Sequence, residues 1–249
     1  MDNTQLFTDK AKIYQNARPS YPRSLMKFLE ENFNFKDAQV ADIGAGTGKF
    51  TELLLDLDAY VTAVEPNDAM VTLLKDSLED PKLTVVERPA EDTELETDQY
   101  DIITVAQAFH WFDPVKFKKE AKRILKPDGN VFLIWNSRKK DVPVNIATQQ
   151  VFERYCPLFE GFSGGKNSEE VVIDAFFDGQ FERQTFDYPF DYCKEGFVNR
   201  CLSASYALSN TDPLYPKFVK ELEVVFDKYS KDNQLIVPNE TYVYYGRLK

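Results

Sequence analysis

Apolar positions along the first 135 residues fall into two alternating rhythms. Short, nearly continuous apolar runs at Ala38–Gly44, Tyr60–Pro66, Leu83–Pro89, Tyr100–Phe109 and Asn130–Asn136 predict buried strands. Between them, Gly48–Leu57, Asp68–Glu79 and Pro114–Leu125 space their apolar residues at helical intervals. Met70, Val71, Leu74 and Leu78 mark one such face, Asn67 or Asp68 suits the N-cap, and Pro114 suits a first turn. Lys126–Gly129 is a turn signal. This alternation predicts an α/β fold with a mainly parallel sheet, and strands apolar on both faces need helices on both sides. Ligands in such sheets bind at the carboxyl ends of the strands, so the loops after Ile43, Val64, Val86, Val105 and Ile134 are the places to look.

After Asn136 the rhythm changes. Residues 137–180 mix helix signals with a glycine-rich break at Glu160–Gly165. Phe181–Tyr192 alternates like a strand, Lys194–Leu208 and Tyr215–Ser230 predict helices, and Val237–Lys249 predicts a last strand. This half is expected to supply the remaining strands plus an inserted helical cover, not an independent domain.

Charge narrows the partners. The 249 residues carry a net charge of −11, and a surface that acidic repels phosphate backbones. No nucleic-acid partner is expected, and the basic run Arg138–Lys140 suits a solvated loop. Cys156, Cys193 and Cys201 are odd in number and contain no C-x-x-C, against a disulfide framework or zinc site. His110 is the only histidine, which excludes a multi-histidine centre, and no metal is expected. The opening MDNTQLFTDKAK has no apolar run of the secretory kind and the longest apolar runs are strand-length. We expect a cytoplasmic setting and no membrane partner; oligomeric state is open. The many Phe and Tyr residues of the second half suit core and cover packing, with a few lining a ligand cavity.

The stretch VADIGAGTGKFT, Val40–Thr51, carries the chemistry. As a phosphate loop it fails twice: Ile43 stands where the first glycine belongs, and Phe50 where a hydroxyl must meet magnesium. As a dinucleotide loop, Gly44, Gly46 and Gly48 bring the third glycine one residue early. Glycines after a strand still permit a tight turn and close ligand approach. Glu65, at the end of the second strand, is placed to accept both hydroxyls of a ribose.

D-I-G-A-G-T-G followed by V-E-P resembles the class I S-adenosylmethionine-dependent methyltransferases. Arg88–Asp92 (RPAED), Val105–Asp113 (VAQAFHWFD) and Arg123–Asn136 resemble that family's later strand-end segments, in order. Ala11–Pro22 resembles an N-terminal segment of its small-molecule branch, near the ubiquinone-biosynthesis and trans-aconitate types. The resemblance implies a Rossmann-like, doubly wound, mainly parallel seven-stranded sheet with an inserted helical lid. It implies one methyltransferase domain over 1–249, with a cofactor-binding core at 1–136 and the last strands plus substrate cover at 137–249. S-adenosylmethionine is the implied cofactor, and a small organic molecule, a carboxylate or other anionic metabolite, the implied acceptor.

Carried over residue by residue, the resemblance gives Gly44, Ala45, Gly46 and Gly48 the loop around the methionine and ribose. Asp42 orients that loop or meets the cofactor's amino group; a loop-bracing carboxylate is the other reading. Glu65 takes the ribose diol, with Pro66 beside it and Met70 against the adenine or in plain core. Ala90 and Glu91 border the adenine, although Glu91 also suits surface charge. Ala106 and Gln107 meet the methionine end, as do Tyr14 and Arg18, the latter through the methionine carboxylate. His110 is the candidate general base, or with Trp111 it shapes and closes the pocket. Trp135, Asn136 and Arg138 complete the expected substrate pocket, Arg138 suiting an anionic acceptor. Rival readings are a non-catalytic cofactor-binding protein, a NAD-dependent oxidoreductase, and a protein or RNA methyltransferase.

Overall fold

A strand that is apolar all round must be covered on both faces, and this requirement organises the molecule. The computed structural model describes residues 20–162, 170–204 and 206–248. β1 (Gln39–Ile43), β2 (Tyr60–Val64), β3 (Leu83–Val86), β4 (Tyr100–Ala106) and β5 (Leu125–Arg138) form the parallel part of one sheet. α1 (Arg23–Asn32), α2 (Lys49–Asp56), α3 (Asp68–Ser77) and α4 (Pro114–Ile124) punctuate these strands. Ile103, Val105, Leu133 and Trp135 face Phe117, Ala121 and Ile124 of α4 and Phe176 of α6 (Glu170–Phe177). Their neighbours in sequence, Ile102, Phe132 and Ile134, face the other way, onto Leu25 and Leu29 of α1 and Phe50 and Leu54 of α2.

The second half completes the sheet. β6 (Glu182–Asp187) and β9 (Asn239–Gly246) bring it to seven strands in the order β3-β2-β1-β4-β5-β9-β6, with β9 antiparallel between β5 and β6. The doubly wound, Rossmann-like sheet expected from the sequence is present.

α5 (Pro143–Tyr155), α7 (Lys194–Leu202) and α8 (Tyr215–Tyr229) pack around a separate apolar cluster that includes Phe152, Phe197, Phe218 and Leu222. β7 (Phe190–Tyr192) and β8 (Leu235–Val237) form a small two-stranded sheet beside it. Among the described residues no helix is long and apolar enough to cross a membrane.

Four expected elements change shape, each for a local reason. The strand over Tyr100–Phe109 stops at Ala106, because Gln107 adopts a left-handed φ of 59°. The strand expected at Asn130–Asn136 runs from Leu125 to Arg138. Its KPDG turn is absorbed as an irregularity, since β4 advances from Tyr100 to Ile102 while β5 advances from Leu125 to Asn130. Phe181–Tyr192 divides before Pro189, which has no N–H for a ladder, and its second part leaves the main sheet. The helix expected to reach Leu208 ends at Leu202.

Candidate functional site: a glycine loop and two buried carboxylates

The loop from β1 to α2 is shaped by three left-handed glycines, with φ of 72° at Gly44, 58° at Gly46 and 83° at Gly48. Their surroundings assign them different tasks. A Cβ on Gly44 would stand 2.4 Å from the Ala108 Cβ and 3.1 Å from Phe112 Cζ, so Gly44 lets the loop settle onto the segment after β4. A Cβ on Gly48 would meet Leu78 of the α3 flank at 2.8 Å, so Gly48 permits close helix packing. A Cβ on Gly46 would meet nothing within 4 Å: that α-carbon faces open space.

Beneath the loop, Asp42 has 1% of its surface exposed. Its Oδ2 accepts from Thr51 Oγ1 of α2 at 2.7 Å and its Oδ1 from Thr104 Oγ1 of β4 at 2.8 Å. Burial pushes its carboxyl up to about 6 against the lowering effect of both hydroxyls. These bonds are those of a brace between β1, α2 and β4.

Glu65 is equally organised. Its Oε2 accepts from the Gly46 amide at 2.9 Å and its Oε1 from the Asn67 amide at 3.0 Å. Burial raises its pKa, those two N–H bonds oppose the rise, and the Asp42 charge adds to it. Each oxygen keeps a further lone pair for a ligand. The Gly44 and Ala45 amides bond to the Val64 carbonyl at 2.8 and 3.0 Å, which fixes the loop to the end of β2. Pro66 is exposed; Asn67 caps α3 by accepting from the Met70 amide at 3.0 Å, and Met70 is buried.

Comparison with known proteins decides the family. A family profile described as a methyltransferase domain matches residues 41–133. A Mycobacterium tuberculosis protein named an uncharacterized methyltransferase is 35% identical over 137 residues, 55% of this chain and 54% of that relative; the match thus spans about half of the relative's length. A Schizosaccharomyces pombe protein, also named an uncharacterized methyltransferase, is 31% identical over 175 residues, 65% of this chain and 69% of the relative. The chain belongs to the class I S-adenosylmethionine-dependent methyltransferases. A solved structure from Anaeromyxobacter dehalogenans, described as a candidate type II methyltransferase, shares the fold at a TM-score of 0.68 and 23% identity. The alignment covers 92% of this chain and 97% of that one.

S-adenosylmethionine is the cofactor of this methyltransferase family, and the residues present fit it. Gly46 leaves room for a ligand against the backbone, and Glu65 offers a carboxylate already fixed by amides. Ala90 is buried. Glu91 is no loose surface charge, for its Oε1 accepts from the Asp113 amide at 2.8 Å and ties the segment after β3 to the start of α4. The same segment is locked further in by Glu120, which takes bonds from the Thr93 amide and hydroxyl and from Arg123. Burial alone would raise the Glu120 carboxyl; the bonds from Arg123 and Thr93 outweigh it and hold it near 2.

The residues expected to line an acceptor pocket divide between the sheet's two faces. Trp135 has no exposed surface and packs among Phe109, Tyr242 and Tyr244. Asn136 points the other way: its Nδ2 donates to the Ser20 carbonyl at 3.0 Å, and its Oδ1 accepts from Thr241. The half-buried Gln107, beside Ala106, donates from Nε2 to the Asn136 carbonyl at 3.1 Å, joining the ends of β4 and β5. His110 and Trp111 lie on a 3-10 turn with ring centroids 4.8 Å apart, and Trp111 is 39% exposed.

Arg138 departs from the solvated loop expected of its basic run. It is half-buried, with its guanidinium 4.4 Å from the centroid of Phe162 and Nη2 3.7 Å from Cys201 Sγ of α7. Tyr14 and Arg18 lie outside the described residues. The sequence reading missed Thr51 and Thr104 as partners of Asp42, Phe112 as the floor under Gly44, and Phe162 and Cys201 around Arg138. Hydroxyls and apolar side chains in ordinary elements carry no motif that would have singled them out.

Proposed function

We propose that the protein transfers a methyl group from S-adenosylmethionine to a small organic acceptor, a carboxylate or other anionic metabolite, held between the ends of β4 and β5 and the helical cover. The pairing of Glu65 with the Gly46 amide, beside an α-carbon open to a ligand, carries this reading. Bound there, the cofactor supplies a sulfonium methyl group that the acceptor's lone pair takes as the carbon–sulfur bond breaks, its electrons staying on sulfur.

The chain's own residues position and shield. Glu65 accepts the ribose hydroxyls in charge-assisted bonds and Gly46 allows the close approach. Gly44, Ala45 and Gly48 shape the loop, Asp42 braces it, and Pro66 and Met70 flank the cofactor with Ala90 and Glu91 on the adenine side. Ala106 and Gln107 border the methionine end. His110 receives the acceptor's proton and Trp111 closes the pocket beside it. Residues 1–249 act as one domain, the helices of the second half excluding water from the reacting atoms.

Calorimetric titration with S-adenosylhomocysteine tests the reading, with NAD as control. Micromolar binding to the wild type, lost in Glu65→Ala, is expected; binding of NAD instead, or no binding by the wild type, overturns it. Once an acceptor is found, His110→Asn separates base from wall. A general base predicts turnover lowered at least a hundredfold with S-adenosylhomocysteine affinity unchanged; unchanged turnover leaves His110 a wall.

A further inference from the structure

We propose that Arg138 holds an oxyanion of the methyl acceptor, and that the acceptor is a small acid whose methyl goes to a second, separate group. The proposal rests on the methyltransferase reading and names the substrate class for that site.

Acids outnumber bases in this chain by 41 to 30. Even so, among the described residues no carboxylate stands within salt-bridge distance of Arg138, and its buried Nη1 finds no hydrogen-bond acceptor. The remaining contacts are soft: a thiol at 3.7 Å and an aromatic face at 4.4 Å. The neighbouring cation is paired: Lys139 reaches Asp187 at 2.6 Å. A guanidinium never sheds its proton, so a buried N–H without an acceptor is a standing cost. An anion that arrives with the substrate removes it.

Placement makes that anion the acceptor's. Arg138 ends β5, two residues beyond Asn136, whose carbonyl is bonded to Gln107 after β4; it therefore lies at the sheet end that carries the other site residues. Its contacts come from the loop after α5 and from α7, so the group it holds sits in the seam between sheet and cover. The Tyr192 hydroxyl of β7 is kept neutral chiefly by burial, against the lowering effect of Arg200 and, after it, of Arg138.

A carboxylate gripped by a guanidinium gives up lone-pair density and basicity, which makes it a poor nucleophile. The methylated atom is therefore elsewhere on the acceptor.

The test uses the full chain saturated with S-adenosylhomocysteine, as wild type, Arg138→Gln and Arg138→Lys. Calorimetry follows 4-hydroxybenzoate, 4-methoxybenzoate, methyl 4-hydroxybenzoate and inorganic phosphate. Expected is binding of the two free acids to the wild type, at least tenfold weaker in Arg138→Gln and partly restored in Arg138→Lys, with the ester silent. S-adenosylhomocysteine affinity stays within twofold throughout, and ligand-free Arg138→Gln melts no lower than the wild type. Phosphate binding lost in Arg138→Gln while both acids are silent keeps the oxyanion site and names phosphate as its source. Equal binding to Arg138→Gln, binding of the ester in preference to the acids, no probe bound, or a melting temperature several degrees lower each overturn the proposal. Absence of S-adenosylhomocysteine binding by the wild type instead overturns the methyltransferase reading beneath it.

Discussion

At the ends of β1 and β2 both buried carboxylates have protein partners: hydroxyls from Thr51 and Thr104 hold Asp42, and amides of Gly46 and Asn67 hold Glu65. At the end of β5 the half-buried Arg138 keeps one buried nitrogen, Nη1, without a partner among the described residues. The first region is finished before a ligand arrives, and half of the bonds to its carboxylates come from the backbone. The second is built from side chains of three distant elements and is completed by what binds. A site of the first kind suits a ligand of fixed structure; one of the second kind leaves specificity to a few replaceable side chains.

Four substitutions sharpen that contrast, the largest first. Gly44→Val forces a branched side chain into left-handed backbone and against the Ala108 Cβ, where an ideal Cβ already lies 2.4 Å away. A loss of about 3 to 5 kcal/mol is expected in denaturant unfolding; under 1 kcal/mol would mean that the loop moves freely.

Asp42→Asn comes next. The folded pKa of Asp42, about 6, lies above its ordinary 3.8, so its favourable contribution is complete below pH 4 and disappears as pH rises through 6. Wild-type stability should fall across that window by on the order of 2 to 3 kcal/mol from this group, and the variant should lack the fall. Glu120, depressed to about 2, acts in the opposite sense below pH 4.5 and overlaps only the lower edge of that window. Identical pH profiles for the two proteins would remove the buried charge from the account.

Gly46→Ala meets no neighbour and should cost only about 1 kcal/mol of stability for its left-handed φ. S-adenosylhomocysteine binding should nonetheless weaken at least tenfold, because the new methyl occupies the ligand's approach. Lys139→Ala, next to Arg138, removes a solvent-washed pair with Asp187 and should change stability by no more than about 0.5 kcal/mol.

The same contrast decides what could be read from the sequence. Glycines after an apolar run, with an acid ending the next, advertise a backbone-built site, and Gly44, Gly46, Gly48 and Glu65 were legible. Strands β1 to β5 were legible because runs buried on both faces contain few polar residues. The bond from Thr104 to Asp42 spans 62 positions and that from Arg138 to Cys201 spans 63, distances over which no local pattern speaks. Arg138 was legible as a residue suited to an anion, but its position beside Lys139 and Lys140 also suited solvated charge, and nothing local announced its contacts with Phe162 and Cys201. The exit of Phe190–Tyr192 from the main sheet depends on β8, a partner more than forty positions downstream.

The position of β9 has a consequence for synthesis. Within the main sheet β6 pairs only with β9, and β9 leaves the ribosome after both of its neighbours. Until residue 246 has emerged, the far side of β5 is an open edge and β6 has no place to dock, a state that invites association with other chains. Thr241 of the same strand also takes its place on Asn136, which meanwhile joins Ser20 and Gln107. The end of the sheet where Asn136 and Gln107 meet is therefore assembled last, by a strand threaded between two that have been waiting for it.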